Sequence, residues 1–322
     1  MAALVSIVVP AYNVEGYIAR SLESILEQDY ADWELLVIND GSTDNTRQIV
    51  ESFVQKDSRI QLYNQDNKGV AAARNRGIDM AAGTYLAFLD GDDMWDKRFL
   101  TEVVAAKTTQ KSAMVFSGYK NFYQDGHLEK LNFSYMTGNL LVPYLKSLVG
   151  LHIGSILVDR AFLIEKGIRF TDGCKMGEDV EFISKILCFT EAYAVREDLM
   201  LYRQRNDSVM HSPFSWRVIL SAIMAFKRIQ KFIKENCSSL SDVEDIVDFL
   251  NIKISRFRHR LLWKMIRHGF QREALEMLSE PECIQDLKLI PISKLTWKQR
   301  LRYRIMLSKN RFIWSCCSMG KN

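Results

Sequence analysis

The sequence predicts an α/β protein: an open, mostly parallel sheet covered by helices, followed by a helical appendage. Three observations predict it. Short β-branched runs alternate with helical stretches through the first hundred residues, polar clusters stand at the ends of three of those runs, and the apolar spacing becomes helical from Trp216 onward. In sheets of this kind, ligands bind at the carboxyl ends of the strands.

Leu4–Val9 is a β-branched run stopped by Pro10. Tyr17–Gln28 carries Ile18, Leu22 and Ile25 at helical spacing. Glu34–Ile38 is a second strand, and Asp44 opens a helix whose apolar face holds Ile49, Val50 and Phe53. Ile60–Tyr63 reads as a third strand. Val70–Ala82 is Ala-rich and helical, closed by Gly83, and Tyr85–Leu89 is a fourth strand. The βαβαβαβ order implies parallel pairing through helical crossovers. Beyond residue 110 the pattern loosens: Ala113–Gly118, Ile153–Val158 and Leu199–Arg203 look like strands and Asp179–Phe189 like a helix. Val243, Val247, Leu250, Ile254, Phe257 and Leu261 form a stripe that packs on the rest of the protein rather than forming a coiled-coil seam. These signals divide the chain into 1–215, with halves 1–110 and 111–215, and a basic helical region 216–322.

The composition, 48% apolar and 25% charged, is that of a globular protein. The N-terminus does not read as a signal peptide, and no run has the roughly 18–20 apolar residues of a membrane span. The six cysteines are scattered without a C-x-x-C pair, which suggests neither zinc nor a disulfide framework and makes a reducing cytoplasm the simplest setting. Net charge is +4, yet residues 251–322 hold 16 Lys/Arg against 5 Asp/Glu, while the rest holds 27 against 34. A basic tail on an acidic body suggests an anionic partner for the tail, lipid or nucleic acid.

Four segments carry chemistry. Asp90-Gly91-Asp92-Asp93 places three carboxylates after an apolar strand, hard oxygen ligands suited to Mg²⁺ or Mn²⁺ beside a diphosphate, though an isolated cluster of this kind is more often a solvated turn. Asn39-Asp40-Gly41-Ser42-Thr43-Asp44 reads largely as turn and helix cap, with Asp40 available to a base edge. Gly69 and Arg74 lie at a helix start that favours anions, with a solvated Arg74 as the plainer alternative. Glu178-Asp179 opens a helix, where acidic residues also suit the dipole. His211 alone is a weak candidate for a metal.

Taken together, Val8-Val9-Pro10-Ala11-Tyr12-Asn13, Asn39 to Asp44, Gly69 with Ala73-Arg74-Asn75, Phe88 to Asp93 and Gly177-Glu178-Asp179 resemble, in order and spacing, the family 2 glycosyltransferases of the GT-A fold over roughly residues 3–212. The resemblance implies an inverting transferase using a nucleotide-diphosphate sugar and a divalent metal. Tyr12, beside Pro10 and Asn13, would flank the base; Asp40 would bind the uracil edge; Arg74 would lie near base or phosphate. Asp90 and Asp92, with Gly91 between them, would serve ribose and metal with Asp93 adjacent. Asp92, Asp93 and His211 are the metal candidates, and Glu178 lies beside the donor. Asp179 would be the general base. The chain lacks the Q-x-x-R-W motif and the membrane spans of processive synthases, which implies addition of a single hexose.

The overall shape looks like bacterial transferases that build lipopolysaccharide core, O-antigen or capsule on lipid-linked acceptors. UDP-glucose or UDP-galactose is the expected donor, the linkage β, and the setting the cytoplasmic face of the inner membrane. Arg256, Arg258, Arg260, Lys264, Lys298, Arg300, Arg302 and Arg304 would face anionic headgroups, against the alternative of a solvated helix face. The acidic body argues against nucleic acid. A sugar-1-phosphate nucleotidyltransferase would need a glycine-rich phosphate loop where Pro10-Ala11-Tyr12-Asn13 stands. A non-catalytic nucleotide-sugar-binding protein would not need Asp179.

Overall fold

A computed structural model describes residues 3–205, 214–237, 243–291, 293, 295–310, 313, 314 and 317. His211 lies outside the described residues. The chain divides into two units, Met1–Cys174 with Glu178–His211, and Lys175–Gly177 with Ser212–Asn322.

The first unit is built on a nine-stranded sheet: β1 (Val5–Ala11), β2 (Trp33–Asp40), β3 (Ile60–Gln65), β4 (Tyr85–Phe88), β5 (Met94–Trp95), β6 (Met114–Phe122), β7 (Leu128–Lys130), β8 (Ile156–Asp159) and β9 (Ala192–Arg203), in the order β3-β2-β1-β4-β8-β6-β9-β5 with β7 on β6. The first four strands are parallel. Val8 of β1 lies opposite Leu36 of β2 and Phe88 of β4, and Ala11 lies opposite Asn39, so the ends of β1, β2 and β4 share one edge. Val5, Ile7, Val9, Leu35 and Val37 on one face and Val8, Leu36 and Ile38 on the other are wholly buried, as strands covered on both faces require. β8 runs antiparallel to both β4 and β6, and β6 pairs parallel with β9.

Each crossover helix follows its apolar spacing. In Ile18–Leu26, residues Ile18, Leu22 and Ile25 are buried. Thr46–Val54 starts where the Asp44 carboxylate accepts the Thr46 N–H at 3.0 Å, and it buries Val50 and Phe53. Val70–Met80 packs on the sheet through small residues; a Cβ at Gly77 would stand 2.3 Å from Val8 Cγ1.

Beyond β5 this unit departs from expectation at several elements. Ile153–Ser155 is a 3₁₀ turn rather than a strand start, because the His152 ring accepts the Gly154 N–H at 3.1 Å and Ser155 Oγ closes a capping box. β9 begins at Ala192, well before Leu199, because Ala192 to Val195 already pair with Met114 to Ser117 of β6, and the pairing resumes at Asp198 past a bulge at Gly118. The helix Phe99–Thr109 has an apolar face the sequence reading passed over; Phe99 stacks on Trp95 at 4.3 Å.

The second unit is helical, with helices Trp216–Asn236, Val243–Arg267, Gln271–Ser279, Pro281–Lys288 and Trp297–Leu307. Leu250, Ile254 and Leu261 of the stripe are buried inside this unit, and Phe257 meets Phe226 edge-on at 5.5 Å. One expected surface cation is misplaced. Arg258 is 2% exposed, and its Nε and Nη2 donate to Asp286 Oδ2 at 2.9 and 2.6 Å, with Lys227 2.5 Å from the other oxygen. It shares the packed face of its helix with the buried Ile254 and Leu261, one turn to either side, so it cannot meet a headgroup. Among the described residues, no helix is long and apolar enough to cross a membrane.

Candidate active site

The acidic cluster sits where β4 ends. Asp90 and Asp92 keep part of their side chains exposed, 27% and 22%, while Asp93 is 1% exposed and turned inward. Asp93 Oδ1 accepts the Arg203 N–H at 2.8 Å, and its Oδ2 has no hydrogen-bond partner. Burial, with Asp92 and Asp90 nearby, pushes its carboxyl well above the ordinary range. The cluster therefore offers a ligand two carboxylates. Burial and Asp90 raise Asp92 as well. Burial also opposes the charge on Asp90, but Arg74, by its charge and its hydrogen bond, and Arg205 hold that carboxyl low.

Arg74 organises the site. Its side chain is 1% exposed, its guanidinium lies 5.2 Å from the Phe170 ring, and Phe88, Phe170 and Phe182 pack together beneath it. Nη2 donates to Asp90 Oδ1 at 2.7 Å, and Nη1 donates to Asp179 Oδ1 at 2.5 Å with Glu178 3.8 Å away. The guanidinium expected near base or phosphate is buried and faces three carboxylates, which it positions, while its Nε has no hydrogen-bond partner. Burial opposes its charge, and the three carboxylates more than restore it.

Glu178 and Asp179 open the helix Glu178–Leu187, whose Phe182, Ile183 and Ile186 are buried. Burial raises both carboxyls, and Asp179 is pushed up to about 7 although Arg74 pulls it down. An acid near neutrality, partly exposed and held by hydrogen bonding, is suited to taking a proton.

At the shared strand edge, Tyr12 is 49% exposed at the end of β1, and Asn13 follows with φ 50°. Asn13 Oδ1 accepts the Thr43 N–H at 2.8 Å, and Ser42 Oγ accepts the Asn13 N–H at 3.2 Å, so the two strand-end loops are tied together. Asp40 is 3% exposed and accepts from Gln65 Nε2, Lys68 N–H and Gly69 N–H at 2.7, 2.9 and 2.8 Å. A carboxylate has about four acceptor positions, so one is left. Gly69 turns at φ 90° to present that N–H. Gly91 lies against Ile18 and Val14, where a Cβ would be 3.1 and 3.2 Å away.

Arg203, Arg205 and His152 join this site without having been given a role in the sequence. Arg203 donates from Nε to the Asp92 carbonyl at 2.7 Å, and Arg205 Nε lies 3.1 Å from Asp92 Oδ2; both guanidinia sit near the Tyr17 ring. His152 lies 5.4 Å from Tyr119 and 4.9 Å from Tyr202, ring to ring, and burial pushes it down to about 4, so it is neutral with Nδ1 as acceptor. The only sequence signal for the arginines was the spacing Arg203-x-Arg205 after an apolar strand.

A family model described as glycosyl transferase family 2 matches residues 6–166. The chain is 31% identical over 233 residues to a putative teichuronic acid biosynthesis glycosyltransferase, TuaG, of Bacillus subtilis, covering 71% of this chain and 89% of that one. The chain belongs to glycosyltransferase family 2. It is an enzyme of the glycosyltransferase class. It is also 40% identical over 167 residues to WfgD of Escherichia coli, a UDP-Glc:α-D-GlcNAc-diphosphoundecaprenol β-1,3-glucosyltransferase, over 50% of this chain and 62% of that one. In fold it is similar to S. aureus TarS 1-349, solved in complex with UDP-GlcNAc, at a TM-score of 0.71 and 20% identity, covering 98% of this chain and 90% of that one. The GT-A fold of the family thus accounts for the parallel strands and the shared edge at their ends.

Proposed function

We propose that this family 2 enzyme transfers a single hexose with inversion from a UDP-sugar, UDP-glucose or UDP-galactose, to a lipid-linked saccharide in bacterial surface polysaccharide synthesis, giving a β-linkage. The observation that carries the reading is the Arg74 guanidinium bridging Asp90, at the strand end, and Asp179, 105 positions on in the chain. One buried cation fixes the spacing between a donor-side carboxylate and a candidate base. The family relatives named for teichuronic acid and for a diphosphoundecaprenol acceptor support the substrate class. Residues 1–215 carry the reaction in this reading, and the basic region 216–322 meets an anionic membrane surface on the cytoplasmic side.

Tyr12 flanks the uracil beside Pro10 and Asn13, and the remaining acceptor position of Asp40 takes a base N–H. Asp179 takes the proton of the acceptor hydroxyl as its oxygen attacks the anomeric carbon on the face opposite UDP. The C–O bond to the diphosphate breaks as the new one forms, so an α-linked donor gives a β-glycoside. The partly exposed carboxylates of Asp90 and Asp92 are hard oxygen donors that would hold a Mn²⁺ or Mg²⁺ ion, although among the described residues no group of three or more His, Cys, Asp or Glu side chains is gathered for one. Such an ion, when bound, would neutralise charge on the diphosphate. Asp93 contributes by holding the cluster to Arg203, and His211 remains a candidate ligand.

A panel of UDP-sugars screened for UDP release, with and without Mn²⁺ or Mg²⁺, tests this reading. Release from one hexose donor that stops on chelation is the expected result. A nucleotide-binding protein without turnover would release no UDP from any of them.

A further inference from the structure

The second unit contains a cavity of about 250 Å³ that the transferase reading does not use. One side is formed by Arg256, Arg260 and Arg302, with His259 between the first two. The floor is Trp263, Ile290, Leu295 and Met306, of which the last three are buried. All three arginines are exposed, and among the described residues none has a carboxylate within ion-pair distance. The neighbouring Arg258 behaves otherwise, since Asp286 neutralises it inside the helix packing. Charge is therefore compensated on the inner face of the helix Val243–Arg267 and left uncompensated along the cavity.

Two further features show a site rather than a solvated face. His259 donates to the Leu287 carbonyl, and its Nε2 is a buried atom with no hydrogen-bond partner. A buried polar atom left unpaired keeps its desolvation penalty unless a ligand or water satisfies it. Arg302 Cζ lies 5.2 Å from the centre of the Trp263 ring, a cation–π contact that uses the face of the guanidinium and leaves its N–H donors available.

We propose that this cavity binds a phosphate group carried on an apolar chain. Planar guanidinium groups match phosphate oxygens two at a time, which favours phosphate over a single-point anion. His259 Nε2 accepts from a P–OH or, protonated, donates to a phosphate oxygen. The buried floor has no charge to solvate and gains by covering alkyl carbon. At about 250 Å³ the cavity falls below the range of about 300–1,000 Å³ typical for a drug-sized ligand, so it takes the headgroup and the first carbons while the rest of the chain stays outside. No step of the transferase chemistry enters this assignment, and its test reads no turnover.

Full-length protein is titrated calorimetrically with octyl phosphate below its micelle concentration, with inorganic phosphate and with octanol. Octyl phosphate is expected to bind with a stoichiometry of one, at least tenfold tighter than either of the other two. The double variant Arg260→Ser with Arg302→Ser, both at exposed positions, should lose at least tenfold in affinity with an unchanged melting temperature. Met306→Trp, which fills the floor, should lose affinity for octyl phosphate while keeping all three arginines. Equal binding by wild type and double variant would overturn the site. Equal binding of inorganic and octyl phosphate would overturn the apolar part. Adsorption to phosphatidylglycerol vesicles with no octyl phosphate binding would mean a charged face only, and would overturn the cavity.

Discussion

Replacing Asp179 with Asn removes the candidate base and almost nothing else. The two side chains are the same size, so no cavity forms. Arg74 keeps Asp90 at 2.7 Å and Glu178 at 3.8 Å, so the buried guanidinium is still compensated. A positioned general base contributes about 10²–10⁴ in rate, which is about 3–5 kcal/mol of barrier. The variant should lose that factor in kcat and bind UDP within about threefold of wild type. With Asp179 pushed up to about 7, wild-type kcat/KM should fall tenfold per pH unit below neutrality, and the variant's residual rate should be flat over the same range. Stability moves the other way. The folded carboxyl lies above its ordinary value of 3.8, so the folded state favours the protonated form. Ionisation then costs the fold nothing below pH 4, an increasing amount from pH 4 to 7, and its full value above 7. A rise from 3.8 to about 7 corresponds to an upper bound of about 4 kcal/mol. The Asn variant, which carries no charge to ionise, should therefore melt higher than wild type at pH 8 and equal to it near pH 4. UDP release, calorimetric UDP titration and melting curves at the two pH values check all three. A rate within tenfold of wild type would refute the base assignment, as would a loss of UDP affinity equal to the loss of rate.

Two structural predictions follow from close contacts. Gly77→Ala drives a methyl group into Val8 of β1, so it should destabilise by about 1–3 kcal/mol in chemical denaturation; a change under about 0.5 kcal/mol would show that the helix can retreat from the sheet. Asp286→Ala leaves Arg258 buried beside Lys227 without its carboxylate and should cost about 3–5 kcal/mol, while the paired replacement Arg258→Met with Asp286→Leu should recover most of it; equal losses in the two variants would argue that the ion pair does not matter.

The first hundred residues were legible because each feature there has a short-range cause. A β-branched run makes a strand, an apolar face at 3.6-residue spacing makes a crossover helix, and parallel order then forces the polar clusters onto one edge. The second half was less legible because its determinants are long-range. β9 pairs with β6 from far along the chain, and no periodicity in Ala192–Val195 announces it. His152 becomes part of the site through the capping turn that it closes, and Arg203 and Arg205 through a strand that returns beside β5. The least legible property was the direction of each charge. Asp90, Asp92 and Asp93 are nearly consecutive, yet two face outward and one faces Arg203. Arg258 and Arg260 are two positions apart, yet one is buried against Asp286 and the other rims a cavity. Spacing places a charged residue on a helix or at a strand end. Whether it serves the fold or a ligand depends on whether another part of the chain brings it a counter-charge. By that criterion Arg74, compensated three times over, is part of the framework, while Arg256, Arg260 and Arg302, without a carboxylate among the described residues, are the charges left open to a ligand.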